Sequence, residues 1–101
     1  MITQRAISEI LQPLLSSGIY RDEKIALKDI VADYIQKKMD GYTTVIRRME
    51  RKYGKDFGAF SKELKGKAAM DLEDDWMEWK GAMAMKEAWH RAFKKLLSNA
   101  A

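Results

Sequence analysis

Seven apolar residues constrain this chain more than anything else in it. Ala32, Ile35, Met39, Tyr42, Ile46, Met49 and Tyr53 recur at spacings of 3, 4, 3, 4, 3 and 4. That is a heptad seam, and a helix that carries one buries it against another helix. The seam lasts about three heptads, so it needs a partner helix of similar length. Leu27, Ile30, Val31 and Tyr34 widen the apolar surface at its N-terminal end. No segment alternates with period two, so no strand is expected. The fold class read from the sequence is all-α, a helical hairpin or bundle of two long amphipathic helices. The long seam favours a coiled-coil-like dimer.

Punctuation residues divide the rest into one helical domain, with helices over about 4–16, 22–53, 56–65 and 71–98. Thr3 is the expected N-cap of the first helix, and Gly18 suits a left-handed stop after it. Pro13 lies inside that run, where a missing N–H predicts a kink or a separate short turn. Asp22 caps the second helix, Gly41 sits within it, and Gly54 ends it. Asp56 caps the third, and 66–70 is a connector. Asp71 is the expected cap of the last helix, with Glu73, Asp74 and Asp75 favourable in its first turn. Leu72, Trp76, Trp79, Met83, Trp89, Phe93, Leu96 and Leu97 form its expected apolar stripe. Met77 and Met85 lie off that stripe and suggest a second adhesive face.

Composition narrows the chemistry. The 101 residues include no Cys and one His. Thiolate nucleophiles, disulfides and thiolate zinc sites are therefore excluded, and a lone His makes neither a catalytic triad nor a multi-histidine metal centre. No glycine loop has phosphate-cradling spacing. Glu87-x-x-His90 is a single copy of a pair that di-iron bundles use twice, with Asp29, Asp33 or Glu50 as conceivable facing ligands. No catalytic residue, metal or cofactor is expected. No apolar run approaches membrane-spanning length, and MITQRAISEI lacks the basic start and apolar run of a signal peptide, so a cytoplasmic location is expected.

The formal net charge of +4 hides an uneven distribution. Residues 1–36 carry four bases and five acids. Residues 37–67 carry ten bases and four acids, 68–78 five acids and no base, and 79–101 five bases and one acid. The basic cluster Arg47, Arg48, Arg51, Lys52 and Lys55 is the candidate nucleic-acid surface. Arg47, Arg48 and Arg51 fall on outer heptad positions, where charge serves solubility alone, and no aromatic residue interleaves with them. Asp71, Asp74, Asp75 and Glu78 share one helix face. They complement the helix dipole, and they also suit a basic partner surface.

Two stretches carry a resemblance. LLSSGIYRDEKIALKDIV, residues 14–31, is similar to the opening of small prokaryotic antitoxins and to the paired helices of ribbon-helix-helix repressors. The strand that would form the DNA-reading ribbon is missing from MITQR. RKYGKDFGAFSKEL followed by EDDWMEWKGAM resembles small helical proteins encoded beside toxin-like genes. The matching residues are Lys52, Tyr53, Gly54, Phe57, Phe60, Glu73, Asp74, Asp75, Trp76, Glu78 and Trp79. The resemblance implies a non-enzymatic, antitoxin-like protein that masks a protein partner, such as a toxin encoded nearby, and that forms a homodimer without engaging membrane. The expected contact residues are Asp74, Asp75, Trp76, Glu78 and Trp79. The alternatives are a nucleic-acid-binding helical dimer using the basic face and a purely structural helical oligomer.

Overall fold

The computed structural model describes residues 3–67 and 69–98. Met1 and Ile2 of the N-terminal segment and Ala68 of the connector lie outside them. Four helices follow in order: α1 Gln4–Ser16, α2 Glu23–Tyr53, α3 Phe57–Leu64 and α4 Met70–Ser98. No strand occurs among the described residues. The all-α class therefore stands. Where the sequence reads as one domain, the chain groups into two compact units, Met1–Tyr34 and Ile35–Ala101.

The first unit contains α1 and the start of α2. The Thr3 side chain accepts a hydrogen bond from the Ala6 N–H, which satisfies one orphan donor of α1. α1 runs through Pro13 as one element, with no separate turn. Its end is a Schellman motif: the Gly18 N–H bonds to the Leu15 carbonyl and the Ile19 N–H to the Leu14 carbonyl. That reversal puts Gly18 at φ +79°, a backbone region costly for any residue with a Cβ. The Tyr20 hydroxyl then donates to Asp29, tying the connector to the first turns of α2. Asp22 caps α2 by accepting from the Ile25 N–H. The buried apolar side chains here are Leu11 and Ala26.

The second unit holds the main core. Met49 of α2, Phe60 of α3 and Trp79 of α4 are buried together. Ile46, Tyr53, Phe57, Leu72 and Trp76 pack around them. Asp56 caps α3 through the Ala59 N–H, so this eight-residue helix starts where the sequence places it. The rings form a continuous cluster of stacked, tilted and edge-on pairs. Tyr53 lies 4.2 Å from Phe60, and Phe60 and Phe57 each lie 5.5 Å from Trp79, centroid to centroid. Trp76 lies 5.8 Å from Phe57. The pairs at 5.5 and 5.8 Å fall in the favourable range for aromatic pairs, and the Tyr53–Phe60 pair is closer than that range.

The ion pairs Arg48–Glu78 and Lys52–Asp75 join rising positions on α2 to falling positions on α4, so the two helices run antiparallel over this stretch. Every α2 seam residue from Ile35 to Tyr53 is buried or half-buried. The α4 stripe differs from the sequence expectation. Leu72, Asp75, Trp79, Ala82, Lys86, Trp89, Phe93 and Leu96 are the buried or half-buried series, at strict 3, 4 spacing. Met83 is 41% exposed whereas Ala82 is 5% exposed, and Leu97 also points outward. The phase was concealed because two of its eight positions are charged and one is Ala.

α4 begins at Met70, so Asp71 is inside the first turn and does not cap the helix. The Ala69 carbonyl accepts the first intrahelical bond, from Glu73.

Gly41 and Gly81 lie inside long helices with nothing within 4 Å of an added Cβ. Gly41→Ala and Gly81→Ala should each raise stability by about 0.5–1 kcal/mol in urea unfolding. Trp79→Ala should lower it by about 3–5 kcal/mol in the same experiment.

Candidate docking groove between α3 and α4

Asp75 occupies a seam position, where an apolar residue is the rule, and the fold supplies the compensation a carboxylate requires. Lys52 Nζ lies 2.6 Å from Asp75 Oδ2, and the Tyr53 hydroxyl donates to the same oxygen. The Lys52 hydrogen bond, followed by that of Tyr53, holds the Asp75 carboxyl below its ordinary pKa. Burial and the bond to Asp75 push the Tyr53 phenol up, so it remains a donor. One turn along, Arg48 pairs with Glu78. The acidic face of α4 and the basic face of α2 thus meet each other.

This pairing redistributes the residues that the sequence singled out for a partner. Trp79 is 1% exposed and stands at the centre of the core, so it offers no surface to another molecule. Asp75 and Glu78 are held by Lys52 and Arg48. Asp74 is exposed, and Trp76 is half-buried with one edge outward. The basic cluster is divided in the same way. Arg48, Lys52 and Lys55 form ion pairs with Glu78, Asp75 and Glu63, and only Arg47 and Arg51 flank an open cleft, with Glu50 between them. Glu87 pairs with Arg91, and His90 is half-buried in a shallow cleft with Ile46, Met83 and Lys86. Among the described residues, no three His, Asp or Glu side chains gather as metal ligands.

What the surface does offer is a groove between α3 and α4. Its volume is about 460 Å³, and Ser61, Leu64, Lys65, Glu73, Trp76 and Met77 line it. Trp76 forms its floor. The indole N–H donates to Ser61 Oγ at 2.8 Å, so the polar edge of the ring is satisfied within the chain. Phe57 supports the ring, and Lys80 Nζ lies 4.8 Å from its centroid, a cation–π distance. The groove is therefore an apolar slot with a preorganised aromatic floor. Met77 is 65% exposed at its edge and can adjust to an incoming side chain. Lys65 and Glu73 mark its rim, and exposed Asp71 and Asp74 continue the acidic charge along α4.

Ser61, Leu64 and Lys65 have no sequence motif. Their role depends on how α3 lies against α4, and of the groove residues only the off-stripe Met77 and the acidic-Trp segment carried a signal. No helix among the described residues is long and apolar enough to cross a membrane. No protein-family model matches the chain, and no curated protein or solved structure is detectably similar to it.

The Asp75 carboxylate has a depressed pKa, so its stabilisation is present above the ordinary carboxylate pKa and is lost as pH falls through the folded value. Acid titration of unfolding free energy should show that loss in the wild type. Asp75→Asn should lower stability near neutral pH and flatten the acid limb, since its amide does not titrate.

Proposed function

We propose that this chain is a non-catalytic protein-binding module of the antitoxin-like kind, cytoplasmic, which grips a basic amphipathic helix of its partner in the α3–α4 groove. The observation that carries this reading is the pairing of an apolar slot, floored by Trp76 and edged by Met77, with the exposed acids Asp71, Glu73 and Asp74 beside it. An apolar side chain of the partner enters the slot while its Lys and Arg residues meet the acids. Helix-in-groove recognition works through such apolar anchors, and complementary charge accelerates and orients the encounter. Trp76 thus acts as a receiving surface for the partner.

The preformed floor supports tight binding, because Trp76 is already fixed by Ser61 and Phe57 and little side-chain freedom is lost on docking. The basic face of α2 supports a nucleic-acid role less well. Arg48 and Lys52 on α2 and Lys55 in the connector after it are engaged within the chain, and releasing the first two costs the pairs that join α2 to α4.

Co-expression with the product of the adjacent gene, followed by co-purification and calorimetric titration, tests the proposal. A stable complex is expected. Met77→Lys should weaken it by at least about tenfold, because a cation then faces a basic partner, while leaving the unfolding midpoint within the range of ordinary surface substitutions. Absence of a complex, or an unchanged affinity for Met77→Lys, overturns it.

A further inference from the structure

We propose that α4 carries a second, outward seam, on which two copies of this chain pair antiparallel about a two-fold axis. The face shares Glu73 and Met77 with the α3–α4 groove, but the inference stands on α4 alone and not on what the groove binds.

The face of a surface helix turned away from its buried seam is ordinarily charged and polar. α4 departs from this. Met77, Gly81, Ala84 and Ala88 follow one another at spacings of 4, 3 and 4, and all four are exposed, Met77 to 65%. That spacing sets them on the side turned away from the buried Trp79 and Ala82.

The charges beside this strip name its occupant. Glu73, Lys80, Glu87 and Lys94 recur every seven residues along one flank, alternate in sign and are all exposed. Each immediately precedes a position of the outward seam, the place from which side chains reach across to a neighbouring helix and fix its orientation. Antiparallel pairing of two copies sets Glu73 opposite Lys94 and Lys80 opposite Glu87, and the two-fold axis repeats both pairs. In the same register Met77 meets Ala88 and Gly81 meets Ala84. Large then faces small and small faces small, so the helix axes approach to about 8 Å. Asp74 meets Arg91 at each end of the strip.

Other arrangements are opposed by the same charges. A shift of one heptad sets Glu73 against Glu87 and Lys80 against the second copy's Lys80. The opposite shift sets Lys80 against Lys94 and Glu87 against the second copy's Glu87. Parallel pairing sets Asp74 against Asp74 and Arg91 against Arg91. A uniformly basic or uniformly acidic foreign helix meets two like charges on this flank. The pattern therefore selects a second copy of this helix, in one direction and at one register. Within the chain, Lys80 lies over Trp76 and Glu87 pairs with Arg91 at 3.5 Å. Both contacts lie at the exposed surface, so re-aiming these side chains costs little.

Sedimentation equilibrium of the full chain tests the inference. A single helix pair makes a small interface, so the wild type should pass from 11.7 kDa to twice that mass between about 1 and 300 μM. Lys80→Glu and Glu87→Lys should each weaken the dimer about tenfold, because each replaces two attractive pairs by two repulsive ones. The double variant Lys80→Glu/Glu87→Lys should return to within about threefold of the wild type. Ala84→Glu, which buries a charge at the centre, should weaken association at least about 100-fold, and Leu97→Lys, off this face, should leave it unchanged. A wild type that stays at 11.7 kDa up to about 300 μM overturns the inference, as does a double variant no better than its parents.

Cross-linking checks the register separately, since the chain has no thiol of its own. Met77→Cys/Ala88→Cys treated with diamide should yield a covalent dimer. Within one chain these positions are about 16 Å apart along the helix, too far for a disulfide. In the antiparallel pair each single variant holds its two thiols equally far apart, so neither should cross-link. Cross-linking of a single variant in place of the double overturns the antiparallel register.

Discussion

Burial of Trp79 is the interaction on which the second unit depends. One indole meets Met49 from α2, Phe60 and Phe57 from α3, and the stacked ring of Tyr53, so a single side chain joins three helices. A short helix such as α3 has little stability of its own, since nucleation is costly and eight residues give few hydrogen bonds in return. Its two phenylalanines bury their rings against Trp79, and that burial holds the helix in place. The groove exists because α3 is held there, with Trp76 as its floor and Leu64 on its wall. Core and candidate site are therefore two faces of one aromatic stack.

Asp75 supplies what the aromatic stack lacks, which is a directional constraint. Apolar packing tolerates sliding by a heptad, whereas a carboxylate on the seam is stable only where donors meet it. Lys52 and Tyr53 meet it at one register of the antiparallel pair. Arg48 and Glu78 are consistent with the same register, although both are more than 45% exposed in their side chains and contribute less. Lys86 lies on the same seam and is only half-buried, as a long side chain with an apolar stem and a charged end allows.

Much of the fold was legible because its signals are local. Thr3, Asp22 and Asp56 cap the helices that the sequence assigns to them, and Gly18 and Gly54 adopt the positive φ that ends a helix. These interactions reach across three or four residues, so neighbours in sequence decide them. The α2 seam was legible because all its members are apolar. The α4 seam was not, because Asp75 and Lys86 stand on it while Met83 and Leu97 stand beside it. Hydrophobicity alone therefore pointed to a stripe turned slightly off the buried one. Trp79 belongs to both stripes, and its complete burial depends on Phe57 and Phe60 of α3, which no pattern within α4 reveals. Asp71 misled for a local reason: the helix starts one residue earlier, so the acid serves the dipole without capping.

The sequence by itself determined that the chain is helical, where most helices begin and end, and that it has neither the thiols nor the histidines of common catalytic and metal sites. It also determined the charge blocks. Tertiary structure decided what those charges do. Their pairing depends on which turn of α2 faces which turn of α4, a relation between residues 22 to 30 positions apart that no local rule encodes. It decided likewise that one tryptophan is fully buried and its neighbour three residues earlier only half-buried. Both are apolar residues on one amphipathic helix, and both meet α3, so how completely each is covered follows from where α3 lies.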